Sequence, residues 1–280
     1  MIAGMFNAAP HMLPTIPAPP LHNIELGPLT LHVYGLLIGI AIIVAMRVAE
    51  LLLTRWGADA STYMRVIIPA IIGGFVGARL YHVASEPVRY AREPLEIFAV
   101  WNGGLGIYGA VLGGALVVWW RVRQLDGSFA DWADAVAVSL PLAQAIGRWG
   151  NYVNQELFGR PTSLPWGLEV DPAYRPAAFT DDCCFHPTFL YESLANLALF
   201  GVLLLIAVRW KTRIPGTIFA TYLIGYSAIR IVVEGLRIDT AHEWLGMRQN
   251  QWVALLILIS ATVTLVILAR QSRQRTGPRQ

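Results

Sequence analysis

Seven stretches of this chain read as membrane crossings, and that succession constrains everything else about it. They run over 30–53, 66–83, 104–120, 132–149, 189–208, 215–234 and 250–270. A crossing helix needs roughly 18 or more largely apolar residues. Soluble domains rarely reach 55% apolar residues or a mean hydropathy of +0.51. The sequence therefore predicts an all-α polytopic membrane protein: one bundle of seven transmembrane helices, not two soluble domains.

Arginine fixes the expected orientation. Of 21 basic residues only Lys211 is a lysine, unlike the mixed basic stripe of a nucleic-acid binder. Arg55, Arg65, Arg121, Arg123, Arg209, Lys211, Arg213, Arg270, Arg273, Arg275 and Arg279 follow spans 1, 3, 5 and 7. The opposite loops hold Arg89, Arg92, Arg160, Arg175, Arg237 and Arg248, diluted by acidic residues. An excess of Lys and Arg marks the cytoplasmic side. The N-terminus is thus expected outside and the C-terminus in the cytoplasm.

Residues 1–28 form an expected outer arm. Pro10, Pro14, Pro17, Pro19 and Pro20 break any helix there, and no basic start or apolar core marks a cleavable signal. Residues 29–270 are the membrane domain, and 271–280 a basic cytoplasmic tail, either a lipid anchor or a solvated end. The segment 150–188, between spans 4 and 5, is too long for a simple connector. It is expected on the outer, periplasmic side as a loop or small β-rich cap, with 166–170 supplying one strand. Cys183 and Cys184 fit neither a zinc site nor a disulfide framework. Vicinal disulfides are rare, so the two read as an unremarkable pair.

Four basic residues lie within or at the ends of spans: Arg47, Arg79, Arg148 and Arg230. Arg47 has Glu50 three residues on, an ordinary local ion pair. The other three fall toward the outer half. An arginine at the centre of a membrane helix costs about 3 kcal/mol, so each lies at the surface or faces a wet cavity. Polarity is densest over 147–160, where Arg148, Asn151, Asn154, Glu156, Gly159 and Arg160 follow the apolar run 133–146. Tyr226, Arg230 and Glu234 fall at i, i+4 and i+8, a polar stripe on an otherwise apolar helix. That stripe is either a local ion pair or one wall of a cavity that Arg148 also enters.

Other motifs are weaker. His32-Val33-Tyr34-Gly35 reads as an interfacial aromatic belt or as part of a site. Gly73 and Gly77 permit close helix contact; Arg79 then reaches a neighbouring face or a lipid phosphate, or simply snorkels. The glycines of 103–109 either bring backbone to an anion or pack helices through Gly109 and Gly113. His186-Pro187 ahead of Glu192 reads as a helix start.

The run 147–160 followed by Leu164-Pro165-Trp166-Gly167 resembles the signature of the bacterial prolipoprotein diacylglyceryl transferases. The order of His32-Val33-Tyr34-Gly35, Gly77-Ala78-Arg79, the 103–109 segment, His186-Pro187 with Leu190-Tyr191-Glu192, and 226–234 is similar to that family over all seven spans. The resemblance implies a transferase that moves a diacylglyceryl group from phosphatidylglycerol to the lipobox cysteine of a prolipoprotein and releases glycerol phosphate. This is the first step of lipoprotein maturation, in the bacterial inner membrane, and a monomer is expected. By resemblance, Arg148, Asn151, Glu156 and Gly159 occupy essential signature positions, and Tyr34, Tyr226, Arg230 and Glu234 positions tied to activity. Many members carry a histidine, considered a catalytic base, where this chain has Tyr108. A phenol with pKa near ~10 is a poor base, so that position is either not the base or only orients a group.

The chemistry follows from residue types. The thiolate is the nucleophile, and the leaving phosphate gathers charge as its C–O bond stretches. Arginines aimed at it stabilise the transition state more than the ground state, through a planar fork. The expected catalytic set is Arg148, Arg230, Glu156, Tyr108 and Glu234, with Glu156 or Glu234 taking the thiol proton or orienting an arginine. Tyr34, Arg79, Asn151, Asn154, Gly159, Tyr226 and Arg237 join Arg148 in holding phosphatidylglycerol. No metal or cofactor is implied by a set of Arg, Asn, Tyr and Glu. One rival is a transporter or flippase of an anionic phospholipid, since buried arginines also mark substrate paths; it predicts inverted repeats, which the sequence does not display. The other is a non-catalytic lipid-binding scaffold, which needs no polar stripe on span 6.

Overall fold

The computed structural model describes residues 15–20, 22–26, 29–100, 103–209 and 214–276. Most of the proline-rich arm, Trp101 and Asn102 before span 3, Lys211 and Arg213 after span 5, and Arg279 lie outside the described residues. The described chain is mostly helical. Its helices are α1 Val33–Arg55, α2 Ala60–Ser85, the short α3 Pro87–Arg92, α4 Ile107–Gln124, α5 Phe129–Val153, α6 Thr188–Arg209, α7 Thr217–Glu234 and α8 Gln249–Thr276.

Among the described residues, five helices are long and apolar enough to cross a membrane: α1, α2, α6, α7 and α8. The expectation of seven is thus met by composition in five. Arg121 and Arg123 cut short the apolar run of α4. Helix α5 carries Asp131, Asp134, Gln144 and Arg148 along its length. Its polarity is taken up internally. Asp134 is fully buried, and its carboxylate accepts the N–H groups of Gly216 at 2.9 Å and Phe219 at 2.8 Å. These donors lie at the N-terminal end of α7, where N–H groups have no intrahelical partners.

Helix ends depart from the expected ones for local reasons. Helix α1 begins at Val33 because Leu29–His32 forms a strand, β2, antiparallel to β1, Asn23–Leu26. Helix α2 begins early because the Asp59 carboxylate accepts the N–H groups of Ser61 and Thr62. Helix α8 runs on to Thr276, so most of the expected tail is helix; Gly277 and Pro278 are the first strong breakers.

The chain divides into two compact units. One comprises Met1–Val44, Leu140–Ile206 and Ala220–Gln280; the other comprises Ala45–Ser139 and Ala207–Phe219. In the second, α2 and α4 meet backbone to backbone: a Cβ on Gly77 would lie 2.3 Å from the Gly109 carbonyl oxygen, and one on Gly113 2.4 Å from that of Gly73. The glycines flagged in both spans therefore serve helix packing.

In the first unit, segment 150–188 has a core of its own. Phe158, Leu168, Val170, Phe185 and Phe189 are buried together. Strand β3, Leu168–Glu169, pairs antiparallel with β4, Cys184–Phe185, and Ile16 joins β3 through 2.9 Å bonds to Gly167 and Glu169. Cys183 and Cys184 are joined in a disulfide, which corrects their reading as an unremarkable pair; that reading used the rarity of such bridges, not the geometry of this turn. A last hairpin, β5 Glu243–Trp244 and β6 Met247–Arg248, turns at Leu245 and Gly246 with φ of 49° and 73°. It delivers Arg248 to the start of α8.

Candidate active site

The site is built where α5 stops. The ring of Tyr34 lies on Gly150 so closely that a Cβ there would come within 1.8 Å of it. Beyond Val153 the chain turns through two left-handed residues that are not glycine, Gln155 at φ 51° and Leu157 at φ 59°. Each costs about 1–3 kcal/mol and persists only when its surroundings hold it. Here they do. The buried Gln155 side chain accepts the Asp171 N–H at 2.7 Å and donates to the Asp171 carboxylate, while the Thr188 hydroxyl donates to the Leu157 carbonyl. Glu156, fixed between them, is exposed. Its Oε1 accepts Asn151 Nδ2 at 2.7 Å, and Asn151 Oδ1 accepts Arg148 Nη1 at 3.0 Å.

Gly159 then threads a narrow gap. Its N–H donates to His186 and that of Arg160 to Leu236, at 2.9 and 3.0 Å. A Cβ on Gly159 would sit 2.8 Å from His186 Cβ and 3.1 Å from the Leu236 carbonyl oxygen. These bonds tie the end of the signature to the ends of β4 and α7.

Behind this loop lies a cluster of ion pairs. Glu192, on α6 and 2% exposed, accepts Arg148 Nη2 at 2.9 Å and Arg230 Nη1 at 3.2 Å. The other terminal nitrogen of Arg230 binds Glu234. Glu234 has no exposure, and also takes Arg237 at 3.2 Å, Arg248 at 3.3 Å and Asn250 at 3.1 Å. Asp239 accepts both Arg237 and Arg248, at 2.7 and 2.8 Å. Burial pushes the Asp239 carboxyl up, but these two guanidiniums outweigh it and hold the pKa below the ordinary aspartate value. Tyr226, one turn before Arg230, stacks on Tyr222 at 5.7 Å. Four guanidiniums thus face three carboxylates, and Glu156, reached through Asn151, is the fourth. Arg148, Asn151, Glu192 and Arg237 line a narrow cleft. Asn154, Glu156 and Asp239 line a larger cavity of about 560 Å³.

Of the residues singled out from sequence, Tyr34, Arg148, Asn151, Asn154, Glu156, Gly159, Tyr226, Arg230, Glu234 and Arg237 fall in this one unit. Arg79 and Tyr108 belong to the other. The donors of Arg79 expected for a lipid phosphate are engaged by carbonyl oxygens: Nε with Ile97 at 2.9 Å, Nη1 with Gly103 and Gly104 at 2.7 and 3.0 Å, Nη2 with Glu96. Gly103 and Gly104, at φ 81° and 77°, turn those carbonyls inward. Tyr108 is 66% exposed and its ring rests 5.8 Å from that of Tyr81.

Sequence reasoning left Glu192, Asp239, Arg248 and Asn250 out of the site. Glu192 carried a signal, since an acid in an apolar helix needs a buried partner. The other three looked like loop polarity and gave none.

The model of the family described as prolipoprotein diacylglyceryl transferase matches residues 22–267, which takes in the whole cluster. A Frankia alni protein is 43% identical over 270 residues, covering 95% of this chain and 70% of the relative. One from Streptomyces coelicolor is 42% identical over 262 residues, covering 91% and 81%, and one from Cutibacterium acnes 42% over 260, covering 92% and 88%. All three are named as phosphatidylglycerol–prolipoprotein diacylglyceryl transferases. A match running from the hairpin before α1 into α8, together with such identity over nine-tenths of the length, makes the assignment: this chain belongs to the prolipoprotein diacylglyceryl transferase family.

Proposed function

We propose that this chain is a membrane enzyme that transfers the diacylglyceryl group of phosphatidylglycerol to the lipobox cysteine thiol of a prolipoprotein, releasing glycerol phosphate. The reading rests on the family and on one geometric fact: Arg148 and Arg230, from different helices, grip the same carboxylate, Glu192. In the proposed setting the chain crosses the bacterial inner membrane seven times as a monomer. Its N-terminal arm and the 150–188 cap lie outside, and its C-terminus is cytoplasmic.

In the reaction a thioether bond forms between the cysteine sulfur and the glyceryl carbon while that carbon's bond to the phosphate oxygen breaks. Each guanidinium has five N–H donors, and Arg148 and Arg230 use only some of them on carboxylates. The rest take the phosphate as its charge grows. Glu156 accepts the thiol proton: it is exposed, and Asn151 holds one of its oxygens. Glu234, enclosed by three arginines and Asn250, orients instead. With Glu156 ionised the cluster has four charges of each sign. Protonating it leaves one positive charge uncompensated just as the phosphate becomes more negative. Asn151 holds Arg148; Tyr34 and Gly159 fix the two ends of the loop that carries Glu156. Tyr108 is a poor base and in this reading takes no proton, so Tyr108→Phe is expected to keep the rate.

The test incubates purified protein with phosphatidylglycerol and a lipobox peptide and weighs the peptide. A diacylglyceryl mass gain is expected, and it should fall about 10²–10³-fold in Arg148→Ala and Arg230→Ala with the melting transition retained. Normal turnover in both variants would remove the phosphate clamp. Lipid movement without a mass gain would favour the transporter instead.

A further inference from the structure

The 560 Å³ cavity beside Glu156 has no part in the phosphate chemistry, and its lining excludes one. Among the described residues its polar wall includes Asn23, Asn154, Glu156 and Asp239, and Leu157, Phe158 and Ile238 contribute an apolar wall. Its lining holds two carboxylates and no arginine or lysine, so a phosphodiester would find no cation there to pair with. A wholly apolar chain would cover the apolar wall but leave the carboxamides and carboxylates unpaired. What suits it is an extended peptide, whose N–H and C=O groups meet carboxamides that both donate and accept and whose side chains meet the apolar wall. Asn23 opens β1, which has only β2 beside it among the described residues. An extended segment can add to such an edge. The volume is that of an ordinary ligand pocket, and Glu156 joins it, through Asn151, to the arginine cleft.

We propose that this cavity is the subsite for the extended backbone of the substrate residues that follow the acceptor cysteine, with Asn23, Asn154 and Tyr174 as its contacts. This rests on the transferase reading. On that reading the part of the substrate that precedes the cysteine is membrane-anchored, and the part that follows it leaves through the outer loops. With the sulfur at Glu156, the chain beyond runs away from the arginines into this pocket. Asn154, grouped from sequence with the headgroup contacts, becomes a peptide contact.

The experiment compares two lipobox peptides, one ending at the residue after the cysteine and one extending about six residues further. Each is titrated with wild type, Asn23→Ala and Tyr174→Ala at saturating phosphatidylglycerol. Wild type is expected to show a KM about tenfold lower for the long peptide. The variants should lose that advantage, with kcat and the KM for phosphatidylglycerol kept. Unchanged transfer to the short peptide serves as proof that the variants fold. If the variants use the long peptide as well as wild type does, or lose affinity for phosphatidylglycerol instead, the subsite is wrong while the transferase reading stands. If wild type modifies neither peptide, the transferase reading itself falls.

Discussion

Arg79 and the pair Arg148–Arg230 are arginines placed in helices, and they are stabilised in different ways. Arg79 donates to the carbonyl oxygens of Glu96, Ile97, Gly103 and Gly104. Carbonyls satisfy the direction of each N–H but bring no opposite charge, and the result is a loop wound around a cation. Arg148 and Arg230 instead share Glu192, and Arg230 continues to Glu234. Carboxylates bring direction and charge together. A guanidinium ringed by backbone organises backbone. One held between carboxylates and in near charge balance can respond when an anion arrives or a neighbouring proton moves.

The sharpest way to break this contrast is Glu234→Ala. Three arginines would then face an empty space with no exposure to water. Breaking a buried pair costs about 3–5 kcal/mol because the remaining charge is uncompensated. Thermal unfolding in detergent should show a large drop or no cooperative transition, and a midpoint equal to wild type would mean the cluster contributes little to stability. Glu192→Gln keeps shape and removes charge. It should lower transfer about 10²-fold with a smaller loss in melting temperature, since Arg148 and Arg230 lose their common anchor. Arg79→Lys runs the other way. Lysine keeps the charge but not the fork, so about 1–3 kcal/mol of stability should go, while turnover per folded molecule stays within a few-fold. A turnover loss matching that of Glu192→Gln would erase the distinction between the two kinds of arginine.

Helical periodicity made part of this legible before any coordinates. The i, i+4, i+8 spacing of Tyr226, Arg230 and Glu234 puts them on one face, and Arg230 does bind Glu234. The dense polarity after α5 marked the loop where Arg148, Asn151 and Glu156 are chained together. Glu192 was visible as an oddity, but an acid in an apolar helix carries no address for its partner. Arg248 reaches Glu234 and Asp239 only because the β5–β6 hairpin turns back before α8, a tertiary event that local pattern does not encode. Arg79 was half legible for a related reason. Its depth was readable, whereas the 3₁₀ turn Pro94–Phe98 and the two left-handed glycines that offer it carbonyls were not. The left-handed Gln155 and Leu157 break a local rule beside Glu156, and no residue preference announces them.

The smallest expected effect concerns the rim of the cluster, where Asp239 is partly exposed and holds Arg237 and Arg248. Burial raises its pKa and the two arginines lower it further than that, so the folded value lies below the unfolded one. A depressed carboxyl contributes stability that is present above its unfolded pKa, about 4, and disappears as pH falls through the folded value. Wild type should therefore be more stable than Asp239→Asn near neutrality, and the gap should close as the pH is taken below about 4. Taking the difference between the two curves cancels the other carboxylates. Glu96 in the second unit supplies the control. Its carboxyl is also held low, chiefly by the hydrogen bond from Arg89, but the pair is exposed and such pairs add little to stability. Glu96→Gln should track wild type across the same range. If the gap for Asp239→Asn instead stays constant with pH, the side chain's shape rather than its charge is what holds the two arginines, and the charge-balanced account of the cluster loses its outermost member.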